Sequence, residues 1–313
     1  MTLTNYWWLL IWIFIGGVLA LFIPKQQKLV NGRKVERWTM PTALILIAPY
    51  IVWAGFRSNA FGDTGSYQKA FRECASSFGE IGNYLSSVTK DKGFYLLMAL
   101  EKSIFGDSCR LFFILLAAFQ LLIIVWMFRK YSEDYWFSIF LFIASTDYIS
   151  WTFNGIRQFT AVVIAYAATP FILKKKYIPS ILLILLASTM HQSVLLMIPI
   201  IFIIQGKAWN KKTVLCILAC LTALLFVDHF TDIMDSMLAE TQYRNVVSDY
   251  KSWNDDGTNP LRVLVYSIPM ILSLIGLKYV QAEDDPMINT AVGASAIVCG
   301  LYVISMVTSG IFL

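Results

Sequence analysis

Long apolar stretches alternate with short charged segments along the whole 313-residue chain. A helix that crosses about 30 Å of hydrocarbon needs about 20 residues at 1.5 Å each, and uncharged segments close to this length recur from Tyr6 onward. The pattern predicts an all-α polytopic membrane protein, with residues 1–313 as a single integral membrane domain and about ten transmembrane helices. The predicted spans are 6–23, 40–56, 110–128, 135–153, 155–173, 177–190, 193–206, 213–230, 262–280 and 287–313.

Two adjacent apolar segments are too short to cross a membrane alone. Residues 177–190 and 193–206 are each about 14 residues long, or roughly 21 Å as helix. Joined as one span they would fit the length, but the basic segments 174–176 and 207–212 would then lie on opposite faces, against the usual bias of Lys and Arg. We therefore predict a short re-entrant hairpin with its tip at 189–193. A backbone turn inside a membrane is tolerated only beside protein or a wet cavity, so the hairpin implies a cavity.

Composition and charge agree with this class of protein and give an orientation. Hydrophobic residues make up 58% of the chain, charged residues 14%, and the mean hydropathy is +0.63, outside the range of soluble globular domains. More than half of the Lys and Arg residues lie in alternate short segments, and most acidic residues lie in the others, which predicts that the N-terminus is outside. This cytoplasmic bias accounts for the net charge of +5, so we expect no nucleic-acid binding.

Two predicted outer loops are long, at 57–109 and 231–261. The first contains amphipathic patterns, with Tyr67 and Phe71 one helical turn apart, and we expect its helices to lie on the outer membrane surface. The second is more polar and contains Arg244.

Isolated charges gather at the predicted outer ends of five segments. A charge within a bilayer costs several kcal/mol unless it is paired or hydrated, and such charges are usually functional. Each also has a simpler interpretation, such as a snorkelling arginine, a helix N-cap, a turn residue or a hydrogen-bonded core histidine. Their convergence favours a hydrated site, and the residues concerned are Arg57, Asp63, Asp91, Arg157 and His191.

The residue types at these positions suit group transfer from a phosphorylated lipid. Guanidinium groups match phosphate oxygens, so Arg57, Arg157 and Arg244 are candidates to bind a lipid pyrophosphate and to stabilise it as it leaves. Either Asp63 or His191 could accept the proton of an attacking hydroxyl group. The sequence contains no HExxH, GxSxG, Walker or DxD motif, and its five cysteines lack zinc-site spacing. We therefore predict metal-independent glycosyl transfer without a cofactor, outside the cytoplasm.

Two other functions compete with this prediction. A transporter or flippase of lipid-linked oligosaccharide should line the bilayer midplane with polar groups, whereas the middle of these spans is nearly all apolar. An acyltransferase that takes its acyl group from a cytoplasmic donor would need His191 on the opposite face.

Four short segments in order resemble the EpsG family of Wzy-like bacterial polysaccharide polymerases. They are RSNAFGDTGSY (57–67), DKGF (91–94), NGIRQ (154–158) and HQS (191–193). The residues at motif positions are Arg57, Asp63, Thr64, Tyr67, Asp91, Asn154, Arg157, Gln158 and His191.

The resemblance implies a multi-pass protein of the bacterial cytoplasmic (inner) membrane with a helical fold related to GT-C glycosyltransferases. It implies polymerisation of undecaprenyl-pyrophosphate-linked repeat units, as both donor and acceptor, into capsule, exopolysaccharide or O-antigen. It further implies membrane lipid and a possible chain-length regulator as partners, and neither a metal nor another cofactor.

Overall fold

A computed structural model of the protein describes residues 3–23, 25–30, 33–145, 147–226, 236 and 259–306. The chain divides into two compact units. The first unit comprises Met1–Phe171 and Tyr177–Leu195, and the second comprises Ile172–Lys176 and Leu196–Leu313. The single integral membrane domain expected over residues 1–313 stays a prediction.

The described chain is built of helices with one short strand pair, which confirms the all-α class. The helices are α1 (Leu3–Leu19), α2 (Met40–Gly55), α3 (Thr64–Glu73), α4 (Ile81–Ser87), α5 (Lys92–Phe105), α6 (Cys109–Tyr131), α7 (Tyr135–Ala144), α8 (Asp147–Phe153), α9 (Ile156–Tyr166), α10 (Thr169–Leu173), α11 (Tyr177–Ser188), α12 (Met197–Ile203), α13 (Lys211–Leu225), α14 (Pro260–Ile275), α15 (Leu277–Glu283) and α16 (Pro286–Ser305).

Ten transmembrane helices are not confirmed. In the described part of the chain, three helical segments are long and apolar enough to span a membrane, namely Cys109–Tyr131, Ile156–Leu173 and Pro286–Ser305. A fourth span would need α14 and α15 together, and they meet at a bend of 74°. The predicted span 135–153 falls short because the helix breaks at Ser145, between α7 and α8.

The predicted re-entrant hairpin corresponds to two short apolar helices, Tyr177–Ser188 and Gln192–Ile203. Their lengths agree with the expectation that neither segment spans a membrane alone. Whether the turn between them lies inside the membrane stays a prediction.

A β-hairpin occupies the predicted inner segment that follows α1, where the sequence analysis expected no strands. Strands β1 (Gln26–Val30) and β2 (Arg33–Arg37) pair antiparallel, with Gln26 opposite Arg37 and Val30 opposite Arg33. The sequence between them is Asn-Gly, the dipeptide most typical of two-residue hairpin connections, and this was the overlooked indication.

In the first unit, α3 and α5 fold onto α6 and form one wall of the candidate site. Tyr67 and Phe71 of α3 are buried together with Phe94 and Met98 of α5 and Phe112 of α6. The apolar face of each amphipathic helix is therefore covered by protein. The expected position of loop 57–109 on the membrane surface stays a prediction.

A buried lysine fixes the end of α3. Lys102 Nζ donates to the carbonyl oxygens of Phe71 at 2.9 Å, Arg72 at 2.7 Å and Cys74 at 3.2 Å. These carbonyl groups lie at the C-terminal end of the helix, where they lack intrahelical partners. The ammonium group therefore holds α3 against α5.

In the second unit, α13, α14 and α16 pack together. The rings of Tyr266 and Tyr302 stack with their centroids 4.6 Å apart. A side chain at Gly300 would approach Cys220 Sγ to within 2.9 Å, so the glycine permits a close approach of α13 and α16. Cys220 therefore lies in a packed helix contact.

Candidate functional site

An ion pair between Arg157 and Asp91 forms the centre of the candidate site. Arg157, in the first turn of α9, donates from Nη1 to Asp91 Oδ2 at 2.8 Å. The Asp91 side chain is 1% exposed and that of Arg157 is 23% exposed. Asp91 precedes α5 and has a left-handed backbone with φ of +54°, which is uncommon for a residue other than glycine. The pair therefore fixes the start of α5 against the start of α9.

The second carboxylate oxygen of Asp91 has a different environment. Oδ1 is buried and receives no hydrogen bond from any residue that the structure describes. A buried oxygen without a donor is costly, and such atoms are often found at functional sites. Asp91 therefore retains acceptor capacity beside Arg157.

Two tyrosine rings flank the Arg157 guanidinium group. Its central carbon lies 5.9 Å from the centroid of the Tyr67 ring and 6.0 Å from that of Tyr95. Nε donates to the Tyr67 hydroxyl oxygen at 3.4 Å, while Nη2 makes no hydrogen bond to the described parts of the chain. Burial raises the pKa of Tyr67, so its ring stays neutral. The guanidinium plane is thus held in one orientation with one amino group still available.

A glycine joins the start of α5 to the turn that carries His191. The Gly93 N–H donates to the carbonyl oxygen of Thr189 at 2.9 Å. A Cβ at Gly93 would overlap the Thr189 side chain and lie 3.0 Å from its carbonyl carbon. Only glycine fits this approach, which places the DKGF segment against residues 189–191.

His191 lies in the turn after α11, beside the Asp91–Arg157 pair. Its Nδ1 is 2.8 Å from the hydroxyl oxygen of Ser193. Burial lowers the pKa of His191, Asp91 opposes this effect, and the positive charges of Arg157 and Lys90 add to it. The imidazole is therefore neutral near pH 7 and able to accept a proton.

The GDT segment docks onto the NGIRQ segment through its backbone. The Asp63 N–H donates to Asn154 Oδ1 at 2.8 Å. Gly62 has φ of +47°, and a Cβ there would overlap the Asn154 amide oxygen. Asp63 occupies the N-cap position of α3, but its exposed carboxylate makes no capping hydrogen bond. The carboxylate is therefore not used by the helix, whereas the next residue, Thr64, is fully buried.

Arg57 lies in an enclosed environment rather than at an open surface. Nε donates to the Ala54 carbonyl oxygen at 2.6 Å, and Nη1 donates to those of Thr152 at 2.9 Å and Phe153 at 3.1 Å. The guanidinium carbon also lies 4.5 Å from the ring centroid of Phe113. These contacts join the end of α2 to the end of α8. The expected substrate contact of Arg57 stays a prediction, and its surroundings favour a structural role.

The sequence of this chain matches a known protein family. The family model described as "EpsG family" matches residues 42–312, which is most of the sequence. The chain belongs to the EpsG family. Members of this family are Wzy-like polysaccharide polymerases, and with its apolar helices this member is a multi-pass membrane protein. Neither the curated proteins nor the solved structures include a match to it. The relation to GT-C glycosyltransferases therefore stays a prediction.

Gln158 and Arg244 are two further residues that the sequence predicts for the site of this EpsG-family protein. Gln158 is half-buried beside Arg157 in the first turn of α9. Arg244 lies outside the described residues. Within the described ranges, no three His, Cys, Asp or Glu side chains are grouped closely enough to hold a metal ion. Among the described residues, Arg157 and Lys90 are the positive charges that act on His191.

The sequence does not reveal the contacts that connect the motifs. Gly62 and Gly93 are part of the quoted segments, but their role was not deduced. Their position inside short polar motifs was the available indication, because a glycine there often permits a close backbone approach. Thr189 and Ser193 gave no separate indication in the sequence.

Proposed function

We propose that this protein polymerises undecaprenyl-pyrophosphate-linked oligosaccharide repeat units by metal-independent glycosyl transfer at the outer face of the bacterial cytoplasmic membrane. Its product would be exopolysaccharide, capsule or O-antigen. Family membership supports polysaccharide biosynthesis. The observation that carries the proposal is the Arg157 guanidinium group, fixed by Asp91 and Tyr67 with Nη2 available.

In the proposed reaction, a sugar hydroxyl oxygen of the acceptor repeat unit attacks the anomeric carbon of the donor glycan. The new bond joins these two atoms, and the bond from the anomeric carbon to the pyrophosphate oxygen breaks. Its electron pair leaves with the lipid pyrophosphate. Arg157 would bind that anion, and its fixed orientation avoids reorganisation as negative charge develops.

Two groups are suited to accept the proton of the attacking hydroxyl. Asp63 presents an exposed carboxylate that its helix does not use. His191 is neutral because burial lowers its pKa. We propose one of them as the general base, with Tyr67, Asn154 and Gln158 as substrate-binding residues around it.

The alternative function, a flippase of lipid-linked oligosaccharide, lacks support from the middle of α6. Gln120 is buried there, and its Nε2 donates to the Ile156 carbonyl oxygen at 3.2 Å and to Thr160 Oγ1 at 2.9 Å. This amide group links α6 to α9. A flippase would need polar groups that face a path across the midplane, whereas the Gln120 amide nitrogen bonds to the neighbouring helix.

The decisive experiment incubates purified protein with lipid-linked repeat units in the presence of EDTA and analyses the products for a ladder of polymers. We expect a ladder from the wild type and a loss of about 100-fold for Arg157→Lys, because an ammonium group cannot reproduce the guanidinium fork. The matched control is Arg72→Lys, since Arg72 is exposed on α3. Wild-type protein that forms no ladder would refute the proposed function, and an active Arg157→Lys variant would remove Arg157 from the site.

A further inference from the structure

A cavity of about 400 Å³ lies among α5, α6, α9 and α11 in the first unit. This volume is within the range of about 300–1,000 Å³ that is typical of ligand sites. Its lining is apolar except for Thr160 and Glu101. Such a lining suits a hydrocarbon chain rather than a sugar.

The cavity begins where the candidate site ends, as the α9 residues show. Thr160, Ile164 and Ala167 line it, and they follow Arg157 at intervals of three, four and three residues. These intervals place all four side chains on one face of the helix. From Arg157 to Ala167 this face extends roughly 15 Å at 1.5 Å per residue. One face of α9 therefore leads from the guanidinium group along the cavity.

The α11 residues give the same direction. Leu183 and Leu186 of α11 line the cavity together with Met190 in the turn that follows, and His191 comes directly after Met190. The helix runs toward the candidate site, so its lining residues lead away from His191. Leu186 is 51% exposed, as is expected of a cavity wall that is open at the helix surface.

We propose that this cavity binds the part of the isoprenoid chain that adjoins the pyrophosphate of the lipid donor, with the pyrophosphate group at Arg157. The inference rests on the proposed function, and it assigns the chain a place that the motif residues do not. Contact of the apolar chain with this lining would favour binding, because it removes apolar surface from water.

Among the described residues that line the cavity, Glu101 is the one that can ionise. It lies four residues after Leu97 on the same face of α5, and its Oε2 is buried with no hydrogen bond from the described chain. The other lining residues on α5, α6, α9 and α11 carry no titratable group. Burial raises the pKa of Glu101 to about 7. A bound chain would desolvate the carboxyl group further, so it would bind best when Glu101 is protonated.

The test uses photolabelling of the full-length protein with farnesyl pyrophosphate that carries a diazirine at the far end of its chain. We expect the label on the α6, α9 and α11 peptides that line the cavity. Ala167→Phe, which narrows it, should lower labelling at least about tenfold, as loss of about 1.4 kcal/mol of binding would. The matched control is Ala48→Phe, in a separate apolar groove of about 650 Å³ between α1 and α2.

A second measurement keeps the inference testable if Ala167→Phe does not fold. Labelling of the wild type should fall as pH rises above about 7, by up to about tenfold per pH unit. Glu101→Gln should remove the part of this pH dependence that comes from Glu101. The part that comes from titration of the probe's pyrophosphate should remain in both proteins. A wild-type pH profile that matches that of Glu101→Gln would overturn the role of Glu101.

Three other results would overturn the chain site. They are a label outside the cavity, equal loss of labelling in Ala48→Phe, and displacement of the probe by bilayer phospholipid as readily as by unlabelled farnesyl pyrophosphate. Labelling does not require polymer formation. A cavity that is labelled in a protein without polymerase activity would therefore refute the proposed function alone.

Discussion

Replacing Asp91 by asparagine tests the ion pair on which the candidate site depends. Asparagine adopts a left-handed backbone readily and retains an acceptor oxygen, so the substitution removes the charge and little else. Removing one partner of a fully buried pair costs about 3–5 kcal/mol. The Arg157 side chain is 23% exposed and keeps its contact with Tyr67, so water compensates part of the loss. We expect the free energy of unfolding to fall by about 2 kcal/mol.

The assay is a double-mutant cycle with Asp91→Asn, Arg157→Met and the double variant, measured by chemical unfolding in mixed micelles. A coupling free energy of about 1–2 kcal/mol is expected for residues in direct contact. The control is Asp107→Asn, because the Asp107–Lys102 pair spans 3.6 Å with Asp107 68% exposed and should contribute less than about 1 kcal/mol. A coupling within about 0.5 kcal/mol of zero would show that the pair is not formed in the folded protein.

Two further predictions follow from the turn beside the site. Gly93→Ala should destabilise the protein by about 1–3 kcal/mol through overlap with Thr189. The control is Gly82→Ala, which should not destabilise the protein, because a Cβ there meets no atom within 4 Å. Equal unfolding midpoints for Gly93→Ala and the wild type would contradict the close approach. Burial lowers the pKa of His191, so the folded protein binds fewer protons there than the unfolded chain. Stability should therefore fall as pH decreases below about 6.5, and a His191→Asn variant whose unfolding shows the same pH dependence would refute this assignment.

The sequence by itself determined the helical class, the order of the motifs and the family. Apolar segments of helix length can be recognised without coordinates, because each residue contributes its own transfer free energy independently of the others. The proximity of Asp91, Arg157 and His191 was also predicted, as a shared depth at the ends of predicted segments. The number of spans stays a prediction, since a helix break such as that at Ser145 depends on how neighbouring helices pack.

Only the tertiary structure decided which groups pair and which stay available. Arg157 meets Asp91, which is 66 residues away in sequence, whereas Arg57 is enclosed by carbonyl groups and aromatic rings. In the sequence, Arg57 and Arg157 are both arginines near predicted helix ends, and nothing there distinguishes their environments. An ion pair strengthens as its two charges approach each other, and hydrogen bonds require angles as well as distance. Such short-range, directional contacts depend on the packing of distant segments, which hydropathy does not encode.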